Sequence, residues 1–199
     1  MNEPQTKRQK THAKMLDAAG RSFRSHGYAG IGVDGIANAA GVTSGAFYAH
    51  FGSKDGAFQA ALAAGLDEVI EAIPQFQQQH ESKWVSAFAN YYLGQPHQDD
   101  LAGGCAMTTL TPEVVRAKPE LQKIYQTKMK NIVRLLAIGL AGDTQQHKEA
   151  NAWAMLATLI GGLNLLRAVA DKKMAKQMAS SIKTAAIRSA GEALCVSAK

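Results

Sequence analysis

The chain contains 199 residues, of which 22 are Lys or Arg and 16 are Asp or Glu, so its formal charge is +6 and its pI about 9.3. This length suffices for one buried core or for a small domain joined to a larger one. A basic chain favours polyanionic partners, but Lys and Arg are scattered along the whole sequence, and bulk charge alone is weak evidence for nucleic-acid binding. Residues 1–12 are polar and contain no apolar segment of a signal peptide. The two cysteines, Cys105 and Cys195, have neither metal-ligand nor disulfide-framework spacing, which fits the reducing cytoplasm.

The first part of the chain predicts a helix that follows a short disordered segment, residues 1–6. Leu16, Ala19 and Phe23 are three and four residues apart and form the inner stripe of this helix. The run of basic residues before it is consistent with attraction to phosphates and equally with a solvated chain terminus. These basic residues are Lys7, Arg8, Lys10 and Lys14.

Residues 33–51 predict a helix-turn-helix. Ile36, Ala37 and Ala40 share one face of a short first helix, and Gly41 is suited to the left-handed conformation that ends a helix. Val42 is apolar enough to fill the space between two crossing helices. This pattern predicts a sharp turn before a second short helix.

The second helix, predicted over residues 44–50, is capped by Thr43 or Ser44, because a hydroxyl there accepts a hydrogen bond from a free backbone N–H. Phe47 and Phe51 are four residues apart and face the core. Small and hydrogen-bonding residues remain on the outer face, as entry into the major groove of DNA requires. These outward residues are Thr43, Ser44, Gly45, Ala46, Tyr48 and His50.

At these positions the sequence resembles the TetR family of bacterial transcription regulators. The matching elements are Ile36-Ala37, Ala40-Gly41-Val42-Thr43, Gly45-Ala46-Phe47-Tyr48, His50-Phe51 and Ser53-Lys54-Asp55. Upstream, Phe23 and Gly27-Tyr28 lie where the family has the end of its first helix, whereas Gly32 replaces the more usual Thr or Ser cap. The resemblance covers about the first third of the chain.

The resemblance implies an all-α protein with an N-terminal three-helix DNA-binding domain, residues 1–53, a connecting helix, residues 54–80, and a larger ligand-binding and dimerisation domain, residues 81–199. It further implies a homodimer that binds a pseudo-palindromic operator in double-stranded DNA and is released by a small molecule. The predicted phosphate contacts are Thr43, Tyr48, His50 and Lys54, and the predicted base-edge contacts are Ser44, Gly45 and Ala46.

Residues 152–170 are apolar enough to raise the alternative of a membrane span. Arg167 would lie inside the span at a cost of about 2.5–3.5 kcal/mol, which opposes that alternative. The segment is better interpreted as part of a dimer interface over about residues 144–194, in which two helices of each chain form a four-helix bundle and Gly161-Gly162 permits close approach. Its apolar stripe is Trp153, Leu156, Ile160 and Leu163, and the stripe on the last helix is Met178, Ile182, Ala186 and Ala190.

Aromatic and flexible apolar residues in the middle of the chain are candidates for an inducer site that takes an apolar, aromatic or electrophilic molecule. Each of them also suits an ordinary core, and it is the family resemblance that favours a cavity. Cys105 follows two glycines at a predicted helix start, so its thiol is either a redox or electrophile sensor or, as we favour, a small buried residue. The candidate ligand residues are Trp84, Phe88, Tyr91, Tyr92, Cys105, Met107, Tyr125 and Trp153.

Nothing in the sequence indicates an enzyme or a bound cofactor. No catalytic triad or phosphate-binding glycine loop is readable, and the histidines, at positions 12, 26, 50, 80, 97 and 147, lack the four-residue spacing of a helical metal site, so no metal is predicted. A ligand-responsive repressor is the favoured function. The alternative is a helical dimer that carries a small molecule or binds a protein without binding DNA, and the small polar outer face of the second helix argues against it.

Overall fold

A computed structural model describes residues 6–191, and within this range the chain is helical without a β-strand. This confirms the predicted all-α fold. A 3-10 turn, Glu81–Lys83, follows the longest helix of the described residues. The α-helices are α1 Lys7–His26, α2 Val33–Ala40, α3 Ser44–Phe51, α4 Lys54–His80, α5 Trp84–Tyr92, α6 Gln95–Asp99, α7 Ala106–Val115, α8 Pro119–Ile138, α9 Gln145–Ala168 and α10 Lys172–Ser189.

The described residues form two compact units. The first contains residues 6–65 and 101–125, and the second contains residues 66–100 and 126–191. The functional boundaries predicted at residues 53 and 80 remain predictions. Disorder is expected from the sequence for residues 1–6, but Thr6 is ordered as the cap of α1, so that end of the prediction is wrong. Residues 1–5, Cys195 and the last part of the predicted dimer segment, residues 192–194, lie outside the described range.

The first unit is built on α1, whose buried face packs on α2. Thr6 caps α1, since its hydroxyl accepts the backbone N–H of Gln9 while the Gln9 side chain accepts the N–H of Thr6. Met15, Ala19 and Phe23 have no exposed surface, whereas Leu16 is half-buried. The inner stripe is therefore shifted by one residue from the predicted one at its first position. Phe23 packs edge-on against Phe58 of α4, with ring centroids 5.1 Å apart.

The second unit is centred on the antiparallel pair of α9 and α10. Asp171 caps α10, and its carboxylate accepts the backbone N–H groups of Lys173 and Met174 at 2.8 and 3.1 Å. Leu156, Leu159 and Leu163 form the buried side of α9. Trp153, grouped with Leu156 and Leu163 in the sequence pattern, is 45% exposed and belongs to the outer face.

Helices α6 and α7 each contain a proline. Pro112 lies inside α7, which continues to Val115, and does not start a new helix. The polar segment around His97 forms the short helix α6, with Pro96 in the first turn, where its missing N–H costs nothing.

No helix within residues 6–191 combines the length and the apolar character that crossing a membrane requires. The span considered for residues 152–170 therefore has no support in the described chain. Arg167, near its end, donates from Nε and Nη2 to the carbonyl of His97 at 3.0 and 2.6 Å.

Candidate nucleic-acid interface

The turn between α2 and α3 has the geometry that the sequence predicts. Gly41 adopts the left-handed conformation, with φ +64°, and its N–H donates to the carbonyls of Ala37 and Asn38. Gly32 occupies the N-cap of α2 without a side-chain cap. Ile36 and Ala40 are fully buried beneath this turn. The buried face of α2 therefore holds the turn in place against α1.

Helix α3 is fixed by one buried ring and one capping hydroxyl. Thr43 is its N-cap and accepts the N–H of Ala46 at 3.2 Å. Phe47 has no exposed surface, and its ring centroid lies 5.2 Å from that of Phe51. Because Phe47 points into the unit, the opposite side of α3 faces solvent.

The outer face of α3 consists of Thr43, Gly45, Tyr48 and Ala49, all exposed. Tyr48 is the largest, with 52% of its surface exposed. Ala46, predicted to contact a base edge, is half-buried. Ala49 was missed by sequence reasoning, although its position four residues after Gly45 places both on one side of a helix.

Ser44 makes a hydrogen bond that the sequence did not reveal. Its hydroxyl donates to Oδ1 of Asp34 on α2 at 2.5 Å. The pair lies on the exposed surface beside the start of α3. Contact of Ser44 with a base therefore requires its hydroxyl to accept a hydrogen bond or to leave Asp34.

His50 is half-buried and faces α1, since its Nδ1 lies 3.3 Å from Nδ1 of His12. The two rings are tilted by 32° with centroids 5.4 Å apart. Nothing in their spacing of 38 residues signals this contact. Of the predicted phosphate contacts, His50 is thus the one that is also engaged with another helix of the unit.

Lys54, the first residue of α4, packs its ammonium over an aromatic ring. Its Nζ lies 4.5 Å from the centroid of Tyr28, a cation–π contact. Ser53 precedes it and accepts the N–H of Gly56 at 3.0 Å, which caps the helix. The contact with the Tyr28 ring orients the Lys54 side chain without neutralising its charge.

Asp55 joins Tyr28 to Lys118 through its carboxylate. The hydroxyl of Tyr28 donates to Oδ1, and Nζ of Lys118 donates to Oδ2 at 3.0 Å. The bond to Asp55, together with partial burial, raises the pKa of Tyr28 to about 12. The bonds from Tyr28 and then Lys118 hold the pKa of the Asp55 carboxyl below its usual value.

A cavity of about 250 Å³ opens beside this network within the first unit. Phe58 and Leu121 contribute apolar surface, and Glu113 and Lys118 are among its polar lining residues. Oε1 of Glu113 also accepts the backbone N–H of Tyr28 at 3.2 Å. Glu113 of α7 thereby contacts the segment that follows α1.

The positive charge of the chain is concentrated at this end. Residues 7–54 contain seven Lys or Arg and only two carboxylates, Asp17 and Asp34, so they carry a net charge of +5 of the total of +6. The excess of positive charge is not evident from the positions of Lys and Arg alone, because it arises from the scarcity of carboxylates in residues 7–54. The local excess of positive charge suits an electrostatic contact with a polyanion.

The sequence of this region matches a known family. Residues 15–61 match the sequence model of the bacterial regulatory proteins of the tetR family. This match assigns residues 15–61, and not the rest of the chain, to the regulatory-protein region of the TetR family. Residues 15–61 include α2, the turn and α3, so the matched residues are those that form the geometry described above.

Solved structures of TetR-family regulators have a similar fold over about nine-tenths of the chain. A TetR-family regulator from Cytophaga hutchinsonii is 19% identical, with a TM-score of 0.74, over 94% of this chain and 98% of that one. The reduced form of E. coli NemR is 18% identical, with a TM-score of 0.73, over 88% and 96% of the two chains. A putative TetR-family regulator from Mesorhizobium loti is 17% identical, with a TM-score of 0.68, over 92% of this chain and 98% of that one. No curated protein matches by sequence.

The predicted ligand residues fall in both units, with Cys105, Met107 and Tyr125 in the first. Met107 is fully buried, while Cys105 and Tyr125 are half-buried. The hydroxyls of Tyr125 and Thr111 are 2.9 Å apart, and burial raises the pKa of Tyr125. Cys105 is the N-cap residue of α7, and within residues 6–191 its sulfur is not part of a disulfide.

The other predicted ligand residues lie in the second unit. Trp84 is 4% exposed and donates from Nε1 to the carbonyl of Gly139 at 3.0 Å, and Phe88 and Tyr92 are also buried. Tyr91 and Trp153 are exposed. The cavity beside Tyr28 is lined by none of the eight predicted residues, and their role in binding a ligand remains a prediction.

Proposed function

We propose that the chain is a DNA-binding transcriptional regulator that acts as a homodimer and is released from its operator by a small molecule. The observation that carries this proposal is the outer face of α3, where small residues surround the exposed ring of Tyr48. Such a face can approach base edges closely, whereas a protein-docking face would present larger apolar anchors.

In this proposal α3 enters the major groove and the residues around it contact the backbone. Gly45 and Ala49 lie against base edges, and Ser44 and Ala46 do so from the first turn. Thr43, Tyr48, His50 and Lys54 contact phosphates, and the net charge of +5 on residues 7–54 supplies the attraction that does not depend on sequence.

The exposed face of α9 supports the homodimer. It runs over four turns without a charged residue, and Gly161 at its centre has open space at the position of a β-carbon. A second copy that covers this face would bury apolar surface and approach the helix closely at Gly161. The exposed residues of this face are Trp153, Ala154, Ala157, Gly161, Asn164, Leu165 and Ala168.

The inducer is proposed to be an apolar, aromatic or electrophilic small molecule, because the candidate residues supply aromatic and thioether surface. The inducer can weaken DNA affinity only as far as it binds the conformation that does not fit the operator more tightly than the conformation that does. Replacement of Cys105 by Ser tests whether the Cys105 thiol senses an electrophilic or oxidising inducer. Unchanged release from DNA by a quinone or peroxide would exclude the thiol as the sensor.

The α3 face is tested by Tyr48→Ala, with Tyr91→Ala as the matched control. Both tyrosines are exposed, at 52% and 58%, but Tyr91 lies on α5 in the second unit. Because a phosphate contact does not depend on the base sequence, Tyr48→Ala should weaken binding to all DNA sequences and the control should not. Equal affinities for the two variants would contradict the placement of α3 on DNA. They would favour the alternative of a carrier or protein-binding dimer.

A further inference from the structure

His12 of α1 and His50 of α3 present the same ring atom to each other. Their Nδ1 atoms are 3.3 Å apart, and both side chains are half-buried. One Nδ1 must donate and the other accept, so the gap holds one proton. This arrangement brings together two nitrogens that are good ligands for transition metals.

The pair is held in place by aromatic packing. The ring of His12 lies 5.2 Å from that of Phe51, which in turn lies 5.2 Å from the fully buried ring of Phe47. The two imidazoles are therefore anchored to the core of the first unit and are not on free surface side chains. Preorganised ligands lose less conformational entropy when they bind an ion.

The distance between the two nitrogens suits a single tetrahedral metal ion. Zinc–nitrogen bonds of about 2.0–2.1 Å at a tetrahedral angle place adjacent nitrogens about 3.3–3.4 Å apart. The observed separation is 3.3 Å. Each lone pair must then point about 35° off the line between the nitrogens, and rotation about the Cβ–Cγ bond provides this at low energy.

We propose that His12 and His50 bind one divalent transition-metal ion, with Zn²⁺ as the reference ion, through their Nδ1 atoms. Within residues 6–191 no group of three or more His, Cys, Asp or Glu side chains is placed to hold a metal, so water fills the remaining positions. The site links α1 directly to α3. It escaped the sequence reasoning because its ligands come from different helices.

Metal binding changes which ring nitrogen carries each proton without releasing one overall. The proton in the gap leaves the donor Nδ1, and the same ring takes up a proton from water at Nε2. Both rings then carry Nε2–H and use Nδ1 as a ligand. His50 consequently becomes a fixed Nε2–H donor, and the divalent charge adds to the positive surface around α3.

The consequence for DNA rests on the proposed function, whereas metal binding itself does not. An added divalent charge and an open coordination position, which can exchange water for a phosphate oxygen, both strengthen backbone contact. We therefore expect Zn²⁺ to raise the affinity for DNA of any sequence. The effect should be absent when either histidine is replaced.

The test is a calorimetric titration of the metal-stripped full chain with ZnCl₂, without DNA, at neutral to mildly alkaline pH. The variants are His12→Gln and His50→Gln, with His147→Gln, exposed on α9, as control. The parent and the control should bind one ion per chain. The association constant should fall at least about tenfold in either variant, since loss of even an outer partner of a ligand costs about 10–100-fold.

A titration with Co²⁺ gives a second readout, because tetrahedral cobalt has intense visible absorption bands and hydrated cobalt does not. Circular dichroism confirms that each variant is folded. Equal binding by the parent and both histidine variants would overturn the site. Zinc binding that leaves DNA affinity unchanged, in a parent that does bind DNA, would keep the site and overturn its role in DNA contact.

Discussion

The hydroxyl of Tyr28 donates to the carboxylate of Asp55, and the opposite oxygen of that carboxylate accepts the ammonium of Lys118. Tyr28 precedes α2, Asp55 lies in the first turn of α4, and Lys118 lies between α7 and α8. The same Tyr28 ring supports Lys54. A displacement of Lys118 would therefore be transmitted through the side chains of Asp55 and Tyr28 to Lys54, a predicted phosphate contact.

The first prediction concerns the ionisation of Tyr28. Its pKa of about 12, against an ordinary 10.0, means that folding favours the neutral phenol. The associated stability is fully present below about pH 10 and is lost as the pH rises towards 12. The measurement is an ultraviolet titration of tyrosinate for the parent and Tyr28→Phe. The difference between the two curves should have its midpoint near 12, and a midpoint near 10 would contradict the hydrogen bond to Asp55.

The second prediction concerns Lys118. Lys118→Ala leaves Asp55 without its ammonium partner, so the Asp55 carboxylate competes more strongly with phosphate for the neighbouring Lys54. We expect a small loss of DNA affinity, under about fivefold, because the pair is exposed. Lys172→Ala removes the same charge at the start of α10 and serves as control. A loss of the same size in the control would show that only net charge matters.

The third prediction concerns the turn of the helix-turn-helix. Gly41→Ala forces a β-carbon into the left-handed conformation, at φ +64°, and should lower the free energy of unfolding by about 1–2 kcal/mol. Gly32→Ser should instead raise it by a few tenths of a kcal/mol, because it adds the missing cap of α2 where a β-carbon meets no atom. Urea unfolding measures both variants. A stabilising Gly41→Ala would contradict the geometry of the turn.

The fourth prediction separates two adjacent glycines of α9. A methyl group at Gly162 would overlap Ile182 of α10, whereas one at Gly161 meets open space. The gain in helix propensity is the same for both, so Gly162→Ala should be less stable than Gly161→Ala by about 1–3 kcal/mol. Unfolding is compared at protein concentrations at which the chain is monomeric, because the proposed dimer approaches α9 closely at Gly161. Equal stabilities would contradict the close packing of α9 on α10.

A fifth prediction uses Gly161 to test the dimer. Gly161→Glu places a charge at the centre of the uncharged face of α9 and should yield a folded monomer. Gln126→Glu adds the same charge to an exposed residue of α8 and should leave the dimer intact. Sedimentation velocity gives the mass, and circular dichroism gives the helix content. A dimeric Gly161→Glu protein would place the interface elsewhere.

Local chemistry explains which features the sequence predicted well. Gly41, Thr43 and Phe47 act through their own backbone conformation, hydroxyl and ring, so the turn and α3 are found where the sequence places them. The pairs Ser44–Asp34 and His12–His50 could not be predicted, because each depends on how two helices cross.

The same distinction applies to α9. Its apolar residues are too numerous for their spacing alone to separate inner from outer positions. The sequence pattern therefore places Trp153 in the inner stripe and omits Leu159, whereas in the structure Trp153 is exposed and Leu159 is buried. Gly161 and Gly162 look alike in the sequence, and only the position of Ile182 distinguishes them.

Recognition of DNA by α3 is tested by a single binding titration. The purified protein is titrated with DNA from immediately upstream of its own gene and with random DNA, each at two salt concentrations. We predict selective binding by a dimer to the upstream DNA, and weaker, strongly salt-dependent binding to the random DNA. Failure to bind this DNA selectively, and to select any sequence from random DNA, would contradict recognition of DNA by α3. The carrier or protein-binding alternative would then stand.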